Sequence, residues 1–370
     1  MKERISRLQY FFLIPNLLFG KAIGITVGIM VRHVGADTWI SMLIGFFTGT
    51  LLFLIMLYIC SKFPEKNIIQ FSEEIFGRWV GKVTGIILTL FFTVAFAVSA
   101  NVMTLHIKQY FLLETPMLLI CVAFTLLCMY GAYLGVEVVL RFAMLAIIMT
   151  VLINVTMITG SYGDFEVNRL RPIFDSGLIR NVSTSVYFFV DTCMVILSVG
   201  YIYPLLNIKK NIVKISIWSI ALSIILIIPW PLFEVAVMGH DTVMQYAVVC
   251  MQQIRCAQLT RYLPRYELVM VSFYMFCMFV QSVAMYYCCM ISIKQTTGIK
   301  KDRILILLLG VILIIITYIM SYDNNTYIEF LDYPWAQICT MVSIGLPVLL
   351  LITALSRGKL AKQNTKKSKA

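Results

Sequence analysis

Two residues of opposite charge, Lys21 and Asp191, lie deep inside hydrophobic stretches, and each is accompanied by residues that disturb a helix. Lys21 falls in segment 15–28, PNLLFGKAIGITVG, beside Pro15, Gly20, Gly24 and Gly28. A charge at membrane depth costs at least ~2.5 kcal/mol. Glycine weakens a helix and proline removes a backbone donor, so a plain anchor has no use for this combination. The expectation is a broken helix whose freed backbone groups face a cavity. The alternative is a continuous helix with close-packing glycines and a paired lysine. Asp191 sits in a second such stretch, with Ser198, Gly200 and Pro204.

Two chemistries are open to this pair. Lys21 and Asp191 can neutralise each other, which answers the cost of burying both. Lys21 can instead meet the carboxylate of a ligand, helped by backbone amides near Gly20 and Gly24, since half-helix N-termini carry partial positive charge. The first arrangement is structural; the second suits a zwitterionic or anionic small molecule such as an amino acid. The candidate ligand-binding residues are Asn16, Gly20, Lys21, Gly24, Asp191, Ser198 and Gly200. Asn101, His106 and Gln281 are secondary candidates.

The rest of the chain must position these groups within a bilayer. Of 370 residues, 60% are hydrophobic and 13% charged, and the mean hydropathy is +0.89. No soluble fold hides that much apolar surface, so the chain is an integral membrane protein. Ten spans are expected, at 8–30, 38–60, 83–106, 115–133, 142–160, 183–206, 215–238, 266–293, 304–321 and 335–355. They form one all-α transmembrane domain covering 1–370: a short N-terminus (1–7), two halves of five spans (8–160 and 183–355) and a basic tail (356–370). Five spans per half forces opposite topology on the halves, the arithmetic of an inverted repeat.

The net charge of +12 does not indicate nucleic-acid binding. Of the 30 Lys and Arg, 21 fall in segments on the same side as the N-terminus, which by the positive-inside rule places both termini in the cytoplasm. The partner this charge implies is the bilayer. No Gly-x-Ser-x-Gly, phosphate loop or HExxH is present, so an enzyme is not expected and no cofactor is implied. The three histidines and ten cysteines have no metal-ligand spacing, and no metal is expected. Cys250 and Cys256 share a loop and can be drawn as a pair.

Several connections carry their own signals. Asp37 reads as the N-cap of the second span and Trp39 as an interfacial anchor. Segment 61–82 reads as an amphipathic helix on the cytoplasmic face, ended by Gly77. Glu137 and Arg141, four apart, can pair along one helix face. His106 is expected near the outer interface. Pro229 and Pro231 should kink or shorten the seventh span and leave Glu234 near the outer surface. Segment 239–264 reads as a short helix over the outer mouth. The eighth span is long and polar, with Gln281 near its middle, whereas the ninth and tenth look peripheral.

A set of ordered stretches is similar to a known family: Asn16 to Gly20; Asp37-x-Trp39; Phe63-Pro64 followed by Ser72-Glu73-Glu74, Gly77, Trp79 and Gly81; Phe111 to Pro116; Gly135 with Arg141; Leu170-Arg171-Pro172 with Gly177; and Arg265-x-Glu267 leading toward Gly298. Across almost its full length the chain resembles the B subunits of bacterial endospore germinant receptors, in the amino acid, polyamine and organocation transporter superfamily. The resemblance implies a LeuT-like fold with helices 1 and 6 broken, a place in the inner membrane of the spore, and A and C subunits as partners. It implies a nutrient-sensing role with a small-molecule germinant, the alternative being a proton-coupled amino acid permease that titrates at His106, Asp191 or Glu234. The chain departs from the family pattern in two places. Gly20-Lys21-Ala22 stands where Gly-x-Gly is usual, and Ser198 occupies a position in the sixth helix that is often acidic, so ligand identity does not carry over.

Overall fold

Among the described residues ten rods cross the molecule, and the pattern of breaks between them follows from glycine, proline and capping residues. A computed structural model describes residues 4–256, 267–299 and 301–359. Arg265, the end of the outer segment and most of the basic tail lie outside these residues. Among the described residues, nine helical runs are long and apolar enough to cross a membrane. The first, Arg7–Lys62, is two spans, because Gly35 at φ 55° turns the chain back through a 3-10 turn at Gly35–Asp37. Among the described residues the crossings therefore number ten, an even count that brings Arg4 and Lys359 to one side. That side is here called the near face.

The first span runs through Arg7–Lys21, a π-helical turn at Ala22–Thr26, and Val27–Val34. A capping box between Ser6 and Gln9 starts it. The second is Thr38–Lys62, the third Arg78–Tyr110, the fourth Met117–Leu134 and the fifth Val136–Ser161. The sixth is Leu178–Ile202, the seventh Ile212–Ile227 continued by Pro229–Met238, and the eighth Glu267–Thr297. Asp302–Met320 is the ninth. The tenth enters through Asn324–Phe330 and a π turn at Leu331–Trp335, and continues as Ala336–Ser356.

Packing pairs the rods as a five-plus-five repeat requires. The second span lies along the sixth and the first along the seventh, two pairings that exchanging the halves would interconvert, while the third lies along the eighth. The sixth span is the most enclosed, as befits the rod that carries a carboxylate through the centre: every residue from Phe188 to Ile202 is buried.

The expected break in helices 1 and 6 is not what the chain does. Neither rod unwinds, because neighbours satisfy the backbone groups that would otherwise force it open. Pro15 cannot donate to the Phe11 carbonyl four residues back, and the Ser219 hydroxyl of the seventh span donates to that carbonyl instead. The Tyr274 hydroxyl of the eighth span donates to the Gly20 carbonyl at the start of the π turn. The sixth span stays α-helical as far as Ile202, and Pro204 falls in the 3-10 turn Tyr203–Leu205 that ends it.

The amphipathic helix forms as expected, over Ile68–Phe76 with Gly77 at its end; Asn67 and Gln70 cap its start, and Ile68, Ile69, Phe71, Ser72 and Ile75 are buried against the bundle. Asp37 differs from its expected role. Asp37 makes no capping bond. Its carboxylate accepts from Phe174 N (2.8 Å), Ser176 N (3.0 Å), Ser176 Oγ (2.7 Å) and Asn181 Nδ2 (3.2 Å), fastening the loop before the sixth span. Glu137 and Arg141 pair at 2.5 Å as their spacing suggests.

Candidate functional site

The π turn sets the geometry of the centre. In an α-helix five residues advance about 140° past a full turn, which would put Thr26 on a different face from Lys21. The wider π turn brings position i+5 back over position i. Lys21 Nζ donates to Asp191 Oδ1 at 2.6 Å and to Thr26 Oγ1 at 3.1 Å, and Thr26 Oγ1 donates to Asp191 Oδ2 at 2.8 Å. Both charged side chains are almost fully buried, at 3% and 1% exposure. The triad is thus electrically neutral, and each carboxylate oxygen has a donor.

The walls are supplied by the third and eighth spans. Gly20 is packed by Met278 and Gln281, so closely that a β-carbon there would overlap both. Gln281 Oε1 accepts no hydrogen bond, and its Nε2 meets only Met194 Sδ, at 3.8 Å. Gly24 is packed by the Tyr274 hydroxyl, Val102 and His106. The His106 ring stacks on Tyr274 at 4.8 Å between centroids, and its Nδ1 lies 2.7 Å from the Val102 carbonyl oxygen. His106 is therefore packed within the bundle, near the end of the third span.

Not every expected residue reaches this centre. Asn16 donates to the Phe12 and Ala143 carbonyls and ties the first span to the fifth, leaving its Oδ1 unpaired. Asn101 accepts from Ser321 at 2.6 Å and fastens the third span to the end of the ninth. Ser198 bonds back to the Met194 carbonyl within its own helix. Gly200 lies toward the near face, where Ile68 and Met56 fill the space a side chain would need. Thr26 was not among the expected residues. In a stretch read as broken, a threonine five places after a lysine gives no α-helical signal, and only the π turn makes the two neighbours.

The centre is closed from both faces. Toward the near face, Ile68 occupies the Gly200 notch, while backbone bonds between Ile5 and the Leu205–Asn207 stretch hold the end of the sixth span. Toward the far face, Gly28 is covered by the Tyr246 and Ala247 carbonyls and Val249, at 3.1–3.2 Å from the position of a β-carbon. His33 Nε2 meets Asp332 Oδ1 at 3.1 Å and stacks on Tyr187, joining the first, sixth and tenth spans. Helix Val249–Cys256 forms in the segment expected to cover this mouth, and Cys250 is a free, buried thiol.

Residues 4–326 match the family described as Spore germination protein. The chain belongs to the spore germination protein family. Among curated relatives, it is 29% identical to spore germination protein YndE of Bacillus subtilis (strain 168) over 48% of the chain, a match that spans only about half (49%) of that relative. Spore germination protein KB of the same organism is 23% identical over 72% of the chain and 71% of its own length. GerQB of Bacillus cereus is 22% identical over 95% and 96%. Among solved structures, MhsT in complex with L-phenylalanine superposes with a TM-score of 0.68 at 10% identity, covering 96% of this chain and 99% of that one. Mhp1, a nucleobase-cation-symport-1 family transporter in a closed conformation with bromovinylhydantoin bound, gives 0.64 at 11% identity, covering 92% and 78%. This spore germination family member therefore has a LeuT-like transporter fold, as the family resemblance implied.

Proposed function

We propose that this protein is the nutrient-sensing subunit of a germinant receptor in the spore inner membrane, and that its ligand is an amino-acid-like zwitterion. The observation that carries the proposal is the buried Lys21–Asp191 pair at 2.6 Å, held between the first and sixth spans. A zwitterion can part this pair without leaving net charge in the interior. Its carboxylate replaces Asp191 at Lys21, and its ammonium replaces Lys21 at Asp191, where Thr26 already donates. A singly charged ligand would leave one buried charge unanswered, which is costly. Gly20 and Gly24 provide room beside the pair only once Gln281, Met278 and Tyr274 shift. Binding is therefore coupled to movement of the eighth span against the first, and a ligand that favours the moved arrangement shifts the population toward it. The A and C subunits are the proposed recipients of that change.

A proton-coupled amino acid permease is the second reading, favoured by the likeness to transporter structures and by a buried acidic side chain, Glu234, outside the centre. Purified protein in proteoliposomes separates the two. Saturable amino acid binding with no net uptake under an imposed pH gradient supports the sensor, and gradient-driven accumulation supports the permease. In the host, deleting the chain and screening nutrients should remove the germination response to one amino acid. A deletion strain that answers every nutrient normally would overturn the sensing role.

A further inference from the structure

Away from the central triad, Glu234 is a second electrostatic anomaly among the described residues. It sits on Pro229–Met238 with no exposure, and neither carboxylate oxygen has a hydrogen-bond partner or an ion pair among the described residues. The Trp230 ring, one turn earlier on the same face, stands edge-on to Phe19, so this face of the helix looks onto the first span. Helix Val249–Cys256 packs against the same element and against the π turn. Its Gln253 is also fully buried with both Oε1 and Nε2 unpartnered. One turn before it, Cys250 Sγ lies 3.8 Å from His106 Nε2, which places this side of the helix over the interior.

Among the described residues, several basic groups on the surrounding elements are engaged elsewhere. Arg169 pairs with Glu166 and donates to the Val237 carbonyl; Arg32 donates to the Met244 and Tyr246 carbonyls. Arg255 lies over the Tyr110 ring and 3.9 Å from Glu267, and His240 faces Asp241 at 3.3 Å. A lone carboxylate in such surroundings is strongly disfavoured unless a positive charge joins it.

We propose that Glu234 and Gln253 form a second binding site, for a partly dehydrated monovalent metal cation, between the Pro229–Met238 and Val249–Cys256 helices. One carboxylate balances one positive charge, whereas a divalent ion would leave a net charge buried. Oxygen donors suit a hard cation. A proton on Glu234 would also neutralise the carboxylate and could bond Gln253, so a dependence of stability on metal ions is what separates the two. The ion would brace the far-face helix over Gly28, and so hold the cover of the central site in place.

The test uses the purified full chain in nanodiscs of zwitterionic lipid, without amino acids. The thermal midpoint is followed as sodium or potassium chloride replaces N-methyl-D-glucamine chloride at constant ionic strength, at several pH values. The wild type should show a saturable upward shift with one of the two metal ions. Glu234→Gln should abolish it, and Gln253→Leu should weaken the apparent affinity at least tenfold. Lys21→Met/Asp191→Met should retain it, which separates this site from the central one. The proposal is overturned by a midpoint that follows pH alone with no metal dependence, by an unchanged response in Glu234→Gln, or by a response lost in the central double variant. Should Glu234→Gln fail to fold, an unchanged affinity in Gln253→Leu overturns it equally.

Discussion

Ile68 stands in the notch left by Gly200, its Cβ 2.8 Å from where a β-carbon on the sixth span would lie. One glycine thus lets the short helix after the second span close the near-face end of the rod that carries Asp191. Replacing Gly200 with valine forces a stiff, branched side chain into contact with Ile68 and Met56. Overpacking of this kind typically costs about 1–3 kcal/mol. The Gly200→Val protein should melt earlier, and Ile68→Ala in the same chain should recover part of the loss. Equal midpoints for Gly200→Val and wild type would show that the notch is not tightly filled.

The Lys21–Asp191 pair predicts strong non-additivity. Removing one member leaves the other charged and buried, at a cost of about 3–5 kcal/mol, whereas removing both removes that penalty. Lys21→Met and Asp191→Leu should each destabilise severely, and the combined variant should be closer to wild type than either. Denaturation midpoints of the four proteins in one detergent measure the coupling. Additive losses would mean that the two side chains do not depend on each other.

Thr26 is the least obvious member of the triad and gives a milder test. It accepts from Lys21 and donates to Asp191, and hydrogen bonds to charged groups contribute about 1.5–3 kcal/mol. Thr26→Val keeps the shape and removes both bonds, so a loss in that range is expected, with Thr26→Ser restoring most of it. A valine variant as stable as the wild type would contradict the geometry of the π turn.

Asp37 makes stability depend on pH. Burial works against its charged form, but hydrogen bonds from Ser176, Asn181 and the Phe174 amide more than offset this and hold its carboxyl below the ordinary carboxylate value of ~3.9. A depressed folded-state value means that the contribution is fully present above the unfolded value and is lost as pH falls through the folded one. Between pH 5 and strongly acidic conditions the wild-type midpoint should therefore fall more steeply than that of Asp37→Asn, which should start lower at neutral pH. Parallel acid profiles would remove Asp37 from the account.

Much of this arrangement was legible in the residues, and what was missed has a common cause. Hydropathy and charge placement gave ten spans, and the cost of burying Lys21 and Asp191 marked both as special before their contact was known. Breakers were misread because Pro15 and Gly20 signal freed carbonyls, not where those carbonyls find new donors. Ser219 and Tyr274, 208 and 254 residues away from the carbonyls they meet, supply them through tertiary packing. The same blindness to distant neighbours hid Thr26, whose position depends on a local change of helical pitch.

The central claim is that a zwitterion enters between Lys21 and Asp191. The most direct test is a thermal-shift screen of the twenty amino acids against purified wild type and against the folded Lys21→Met/Asp191→Leu variant. At least one amino acid should raise the wild-type midpoint, its deaminated and decarboxylated analogues should not, and none should shift the double variant. An amino acid that stabilises both proteins equally, or an analogue lacking one charge that binds as well as its parent, would contradict the account.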